Sequence, residues 1–428
     1  MPYRRSRLDN GLDVILVPAP NRHLAALGLF VRAGTRFERA RDAGLAHFLE
    51  HMLFRGAGEH ADSFALNRAL ESLGGPVHAS TCRDSTSYLM RMPPGSLEPA
   101  LALLAAMFTG PRYAGLAAER EIVLEELAAE LDEQGNDLEP ENLSHPMLYP
   151  GHALARRILG EPGNVRRFGR RELERCRGQH YVGANLVAVV AGPIDEQGTL
   201  DALQQHLGSL PAGRAAASRT PRPGPRGAGF CHVADDDPQA RLRLCFRTPA
   251  EDDPAFPALK LALRVLDDGV SSRLQNRICE ELGLAYEVSA ELVSYGDAGH
   301  IALDLAAAPG KMSRAIDELL GLLEGLVRDP ARDDELDLAR SRYRMDLLGM
   351  LDDVWELTQF FGYAGLLGQE PSPRSRWQEI EAVTAEGIEA VARQVIAPER
   401  LRAVVVGDLP RRELKACRRL VEGWKGVG

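Results

Sequence analysis

Short blocks of β-branched and aliphatic residues, and longer stretches with apolar positions every three or four residues, divide the chain into two comparable runs. After the turn signal Asn10-Gly11, residues 12–18 and 24–33 read as strands separated by a turn containing Pro and Asn. Residues 229–233 and 241–246 repeat that opening in the second half. Both openings lead into helical patterns, such as 97–108 and 315–327. Each half then closes on a β-branched strand stopped by glycine and a turn residue, at residues 185–193 and 401–409. The pattern predicts an α+β fold built from two copies of one unit, each a mostly antiparallel sheet packed with helices.

Between the halves, residues 207–229 are rich in Pro, Gly, Ala and Arg and lack apolar periodicity, the composition of a linker. The domains expected are therefore 1–206 and 230–428. A chain of 428 residues that is 45% hydrophobic has material for more than one core, in line with that division. With 61 acidic against 51 basic residues the formal net charge is -10, which argues against a nucleic-acid partner.

The basic residues at the start are not followed by an apolar stretch before Asn10-Gly11, so no signal peptide is expected. No run of about 18 apolar residues marks a membrane span. Six dispersed cysteines without a C-x-x-C pair argue against a disulfide framework or a thiolate metal site. A cytoplasmic, reducing location is the expectation.

One pentapeptide carries chemistry. His47-Phe48-Leu49-Glu50-His51 sets two imidazoles one helical turn apart with a carboxylate beside them. Leu45, Phe48, Leu49, Met52 and Leu53 make the rest of this helix apolar, so it is expected to be buried. Burying two His and a Glu without partners costs on the order of several kcal/mol, and a metal is the simplest compensation. H-x-x-E-H is the inverted zinc-peptidase motif, with His47 and His51 as ligands and Glu50 as general base on a water.

Zinc needs a third protein ligand. The stretch 115–133 reads as an acidic helix with an apolar stripe through Leu116, Val123 and Leu127. Glu126 projects between the directions of Val123 and Ile122 and is the expected ligand. Glu119, seven residues earlier on the same flank, is expected to orient an imidazole, and Glu130 is the reserve ligand. Glu121 and Glu125 point the other way, toward solvent.

On these residues the chain resembles the pitrilysin, insulysin and mitochondrial processing peptidase family. Residues 44–56 (GLAHFLEHMLFRG) look like its zinc helix, and Glu119-Arg120 with Val123-Leu124-Glu125-Glu126-Leu127 looks like its distal glutamate helix. Asn10-Gly11-Leu12-Asp13-Val14, the Ala33-Gly34-Thr35-Arg36 turn and Gly283-Leu284-Ala285-Tyr286 extend the similarity over both halves. The resemblance implies a zinc metalloendopeptidase whose two domains form half of a clamshell chamber and pair with a second such subunit. It also implies an edge strand, around residues 77–88, that takes up peptide as an added strand. His78-Ala79-Ser80-Thr81 stands where the family usually has Asn-Ala-x-Thr, so His78 departs from the pattern, and His78 and Ala79 are the substrate-binding candidates there.

In the second half the family pairs an Arg with a Tyr seven residues later to hold substrate and stabilise the oxyanion. Tyr286 is present as a substrate-binding residue, but Cys279 occupies the Arg position, with Arg277 two residues away. That departure implies a heterodimer in which a related subunit supplies the Arg/Tyr pair, with a homodimer as the alternative. A non-catalytic, structural subunit of a processing-peptidase-like complex is the competing reading, which the complete set of His47, Glu50, His51 and Glu126 opposes.

Overall fold

The strand-forming blocks assemble into two sheets that repeat one topology. The computed structural model describes residues 2–222, 224 and 227–427. In the first sheet the strands are β1 (Arg4–Arg7), β2 (Asp13–Pro18), β3 (Ala25–Val31), β4 (His78–Thr81), β5 (Thr86–Met92) and β6 (Leu186–Gly192). Their order is β1-β2-β6-β3-β5-β4. The second sheet contains β7 (Gly229–Val233), β8 (Ala240–Thr248), β9 (Ala285–Ser294), β10 (Gly299–Ala307) and β11 (Leu401–Val406), in the order β7-β11-β8-β10-β9.

Superposing these orders matches β2-β6-β3-β5-β4 with β7-β11-β8-β10-β9. In both, the first strand runs parallel to the last strand of its half, and the other pairs are antiparallel. The fold is thus α+β with two mixed sheets, as the repeated pattern predicts. The stretch 77–88 is not one edge strand but a hairpin. Its outer arm, β4, lies at the edge, and Cys82 N donates to Ser85 O across the turn into β5.

The chain divides into two compact units that do not follow a cut at the linker. The first comprises residues 1–127, 156–219 and 347–373, and the second residues 128–155, 220–346 and 374–428. The reason is that each sheet has two faces to cover. In the first unit, one face of the sheet is covered by the helix Val354–Leu366, whose Val354, Leu357, Phe361 and Leu366 pack on Ile15, Val17, Phe30, Val187 and Val189. Close approach needs small residues: a Cβ at Gly362 would sit 2.1 Å from the Phe30 ring, and one at Gly28 would sit 2.5 Å from Thr358 Cγ2. In the second unit, the helix Pro140–Leu148 and the residues after it place Leu148, Tyr149 and Leu154 against Cys245 and Ala302. Each half of the sequence therefore lends a helical segment to the other half's sheet.

Candidate metal centre

The helix Leu45–Leu53 begins at Gly44, whose φ of 93° only glycine adopts readily. Gly44 has no side chain to cap the helix. The Glu38 carboxylate does so instead, accepting from Gly44 N at 3.0 Å and from Ala46 N at 2.6 Å. Leu45, Ala46, His47, Phe48, Leu49, Met52 and Leu53 are buried, as the apolar pattern predicts. Glu50 and His51 are partly exposed on the remaining side.

The acidic helix supplies the facing residues but is shorter than the pattern predicts, spanning Leu116–Ala128. It ends where Asp132 draws the chain into a turn, accepting from Gln134 N and Asn136 N. Its faces also differ from those the apolar stripe predicts. Ile122 is 46% exposed and the Glu126 side chain 44%, so Glu126 is not flanked by core on both sides. Glu119 is the buried one, at 5%. Glu130 belongs to the second unit and accepts from Asn142 Nδ2 at 2.9 Å.

His47, His51 and Glu126 converge. One ligand atom from each lies within 4.8 Å of the others, and both imidazole Nε2 atoms are 3.8 Å from the Glu126 carboxylate. Ligands of a tetrahedral zinc at about 2.0–2.2 Å stand roughly 3.3–3.6 Å apart, slightly closer than these contacts. Tautomer and protonation fit a metal as well. The His51 Nδ1 is bonded to Glu119 Oε1 at 2.8 Å, which leaves its Nε2 free toward Glu126. Burial, and then the charge of His51, push the His47 pKa down to about 3, so its imidazole is neutral. Two imidazoles and a carboxylate are a donor set suited to zinc.

Glu50 sits between this cluster and the sheet. Thr81 Oγ1 of β4 donates to Glu50 Oε2 at 2.5 Å. Burial raises the Glu50 carboxyl pKa, opposed by the Thr81 hydrogen bond and by His51. Three further residues support the cluster, in contacts that the sequence does not specify. Thr81 alternates with His78 along β4. Arg55, two residues past the end of the helix Leu45–Leu53, forms an ion pair with Glu119. Glu38 carries no local signal, because its contact spans a six-residue excursion.

The remaining candidates are distributed differently. His78 is exposed and Ala79 half-buried on the edge strand. Tyr286 belongs to the second unit, is 97% exposed, and borders a cavity of about 440 Å³ with Arg241, Arg243, Glu287 and Asp304. Arg277 is engaged by Glu281 at 2.8 Å and Glu318 at 2.9 Å. Cys279 lies in a π-helical turn, Asn276–Glu281, with its Sγ 3.7 Å from Gln275 Oε1.

Comparison with known proteins bears on this geometry. Residues 13–161 match the family model described as insulinase (peptidase family M16), and residues 167–343 match the peptidase M16 inactive domain. A protein named an uncharacterised zinc protease, from Mycobacterium tuberculosis, is 30% identical over 414 residues, covering 94% of this chain and 93% of the relative. The mitochondrial-processing peptidase subunit beta of Blastocladiella emersonii is 26% identical over 420 residues, with coverage of 94% and 88%. The crystal structure of a protease from Helicobacter pylori has the same fold, with a TM-score of 0.88 at 20% identity, covering 95% of this chain and 100% of that one.

Proposed function

We propose that this chain, which belongs to the insulinase family of M16 peptidases, is a zinc metalloendopeptidase subunit acting on extended peptides or unfolded segments. The observation that carries this reading is the convergence of His47, His51 and Glu126 beside Glu50, with an edge strand attached to Glu50 through Thr81. Zinc in such a set contributes Lewis acidity, which acidifies water and polarises a carbonyl.

The chain's own residues do the rest. Glu119 fixes the His51 ring through Nδ1 so that Nε2 faces the metal position. Glu50 accepts the proton of the attacking water and delivers it to the leaving amine nitrogen. The raised Glu50 pKa suits this exchange, because it brings the carboxyl nearer to neutrality than a free glutamate. The Thr81 hydroxyl holds one carboxylate oxygen, leaving the other for the water. Along the free edge of β4, His78 and Ala79 offer the site for an added peptide strand, so the peptide backbone arrives beside Glu50.

One relative is named as a subunit, which supports a chain that works with a second one. In this reading the partner is a related subunit contributing an Arg/Tyr pair, and a homodimer completed by Tyr286 is the alternative. Among the described residues no helix is long and apolar enough to cross a membrane.

Metal content and peptide cleavage test the proposal together. The chain is expected to bind one zinc, and His47→Ala, His51→Ala or Glu126→Ala each to lower occupancy. Glu50→Gln is expected to keep the metal and lose about 10²–10⁴-fold in turnover, since an amide cannot take the proton. A purified chain that binds no zinc would instead be a structural subunit.

A further inference from the structure

Strand register assigns each residue of the edge strand to a face of the sheet. Leu89 and Arg91 of β5 stand opposite Gly28 and Ala26 of β3. Leu89, Ala26 and Phe30 belong to the core under the helix Val354–Leu366. His78 and Ser80 pair with Leu89 and Ser87, so they share that face. Ala79 and Thr81 lie on the other, where Thr81 meets Glu50. A peptide strand added to β4 inherits this alternation: every second side chain turns away from the metal site, toward the helix Val354–Leu366.

That face carries two aromatic rings, on either side of Gln359. Trp355, Gln359 and Tyr363 recur at four-residue spacing and therefore line one side of the helix. The Trp355 ring meets the His78 imidazole edge-on, with centroids 5.2 Å apart. Arg91 lies over the same indole at 5.1 Å and is held by Asp353 at 3.7 Å. Tyr363 packs on Phe30 at 5.2 Å, is joined to Ser87 by a side-chain hydrogen bond, and is 36% exposed. His78 is exposed and Trp355 half-buried, so the rings form a shelf beside the strand and not a closed core. At about 3.3 Å per residue, the His78 level is roughly 10 Å along β4 from Thr81.

We propose that this shelf determines specificity, by accepting bulky apolar or aromatic side chains at alternate positions of the bound peptide, next to His78 and next to Ser80. The inference rests on the peptidase reading and adds a substrate class to it. Charged side chains fit less well: Asp353 already matches the charge of Arg91, and Arg91 already occupies a face of Trp355. What the shelf presents to an incoming side chain is ring edge and ring face, whose natural partner is another ring or a branched aliphatic group.

Binding tests the shelf separately from catalysis. The probes are fluorescein-labelled dodecapeptides of Ser, Thr and Gln with Phe, or Ala, at two positions two apart. The protein is the full zinc-loaded chain carrying Glu50→Gln. The Phe peptide is expected to bind roughly tenfold more tightly than the Ala peptide. Adding Trp355→Ala, or the exposed-strand variant His78→Ala should the first fail to fold, is expected to bring the ratio close to one. Equal affinity for both peptides, or an unchanged ratio in a folded variant, overturns the proposal. Equal affinity for Phe at adjacent positions overturns the alternation. With Glu50 intact and a homologous subunit bearing the Arg/Tyr pair added, discrimination without cleavage sinks the peptidase reading and leaves the shelf standing, whereas cleavage without discrimination does the reverse.

Discussion

Glu119 does more than its exposure-based neighbours suggest. Its buried carboxylate serves two partners, the Nδ1 of His51 and the guanidinium of Arg55. Glu119→Gln keeps the volume but removes the charge both partners address, and is expected to lower zinc affinity about 10–100-fold, read by competition with a chelator. Wild-type affinity in that variant would show that the ring needs no carboxylate to orient it. The two histidines were legible because helical spacing is local arithmetic: positions four apart share a face. Glu126 converges on the histidines although the flank that predicts it is not core, since Ile122 is exposed and Glu126 half-exposed. A lone helix has no way to report which of its flanks a neighbouring element will cover. Thr81 stands in the stretch that resembles Asn-Ala-x-Thr, but its hydrogen bond to Glu50 was not legible for the same reason, because it depends on the fold bringing β4 to the helix Leu45–Leu53.

Glu38 governs that helix as an element. It satisfies two N–H groups that Gly44 cannot cap, and Glu38→Ala would strand them in a buried site at a cost of about 1–3 kcal/mol, measurable by chemical denaturation. The contribution depends on pH. Burial raises the Glu38 pKa to about 7 in the folded chain, against the N–H donors that favour the charged form, from an ordinary value of 4.5. The folded state therefore holds a proton that the unfolded state releases, so the stabilisation is complete below about pH 4.5 and is lost as pH rises through about 7. The difference in stability between wild type and Glu38→Ala is expected to shrink over that window. A difference that grows with pH would mean that the carboxylate is charged in the fold. Elements such as Leu97–Thr109 and Met312–Arg328 fall close to the stretches their periodicity predicts, 97–108 and 315–327. The partners of the helices Pro140–Leu148 and Val354–Leu366 were not legible, because an apolar face specifies that it will be covered but not by which sheet.

At the scale of the molecule that exchange has a consequence. Residues 1–219 expressed alone lack Val354–Leu366, leaving Ile15, Val17, Phe30, Val187 and Val189 uncovered on one sheet face. Such a fragment is expected to aggregate and to be rescued by co-expression with the rest of the chain. A soluble, cooperatively folding fragment would show that the linker marks a true domain boundary. The proposed partner belongs to the same scale. Cys279 stands where the family resemblance calls for Arg, and its thiol cannot place positive charge beside a developing oxyanion, a loss of about 3 kcal/mol in transition-state stabilisation. Arg277 has its guanidinium engaged by Glu281 and Glu318, which it would have to leave to take that role. A chain lacking this group gains most from a related subunit that carries it. The purified chain is therefore expected to cleave peptides at least tenfold faster once mixed with a homologous subunit bearing the Arg/Tyr pair. In a homodimer Cys279→Arg would supply the missing charge, and activity should rise in the single chain. Full activity of the wild-type chain alone, lost on Arg277→Ala, would mean that Arg277 leaves its two glutamates to hold the substrate, and would overturn the heterodimer.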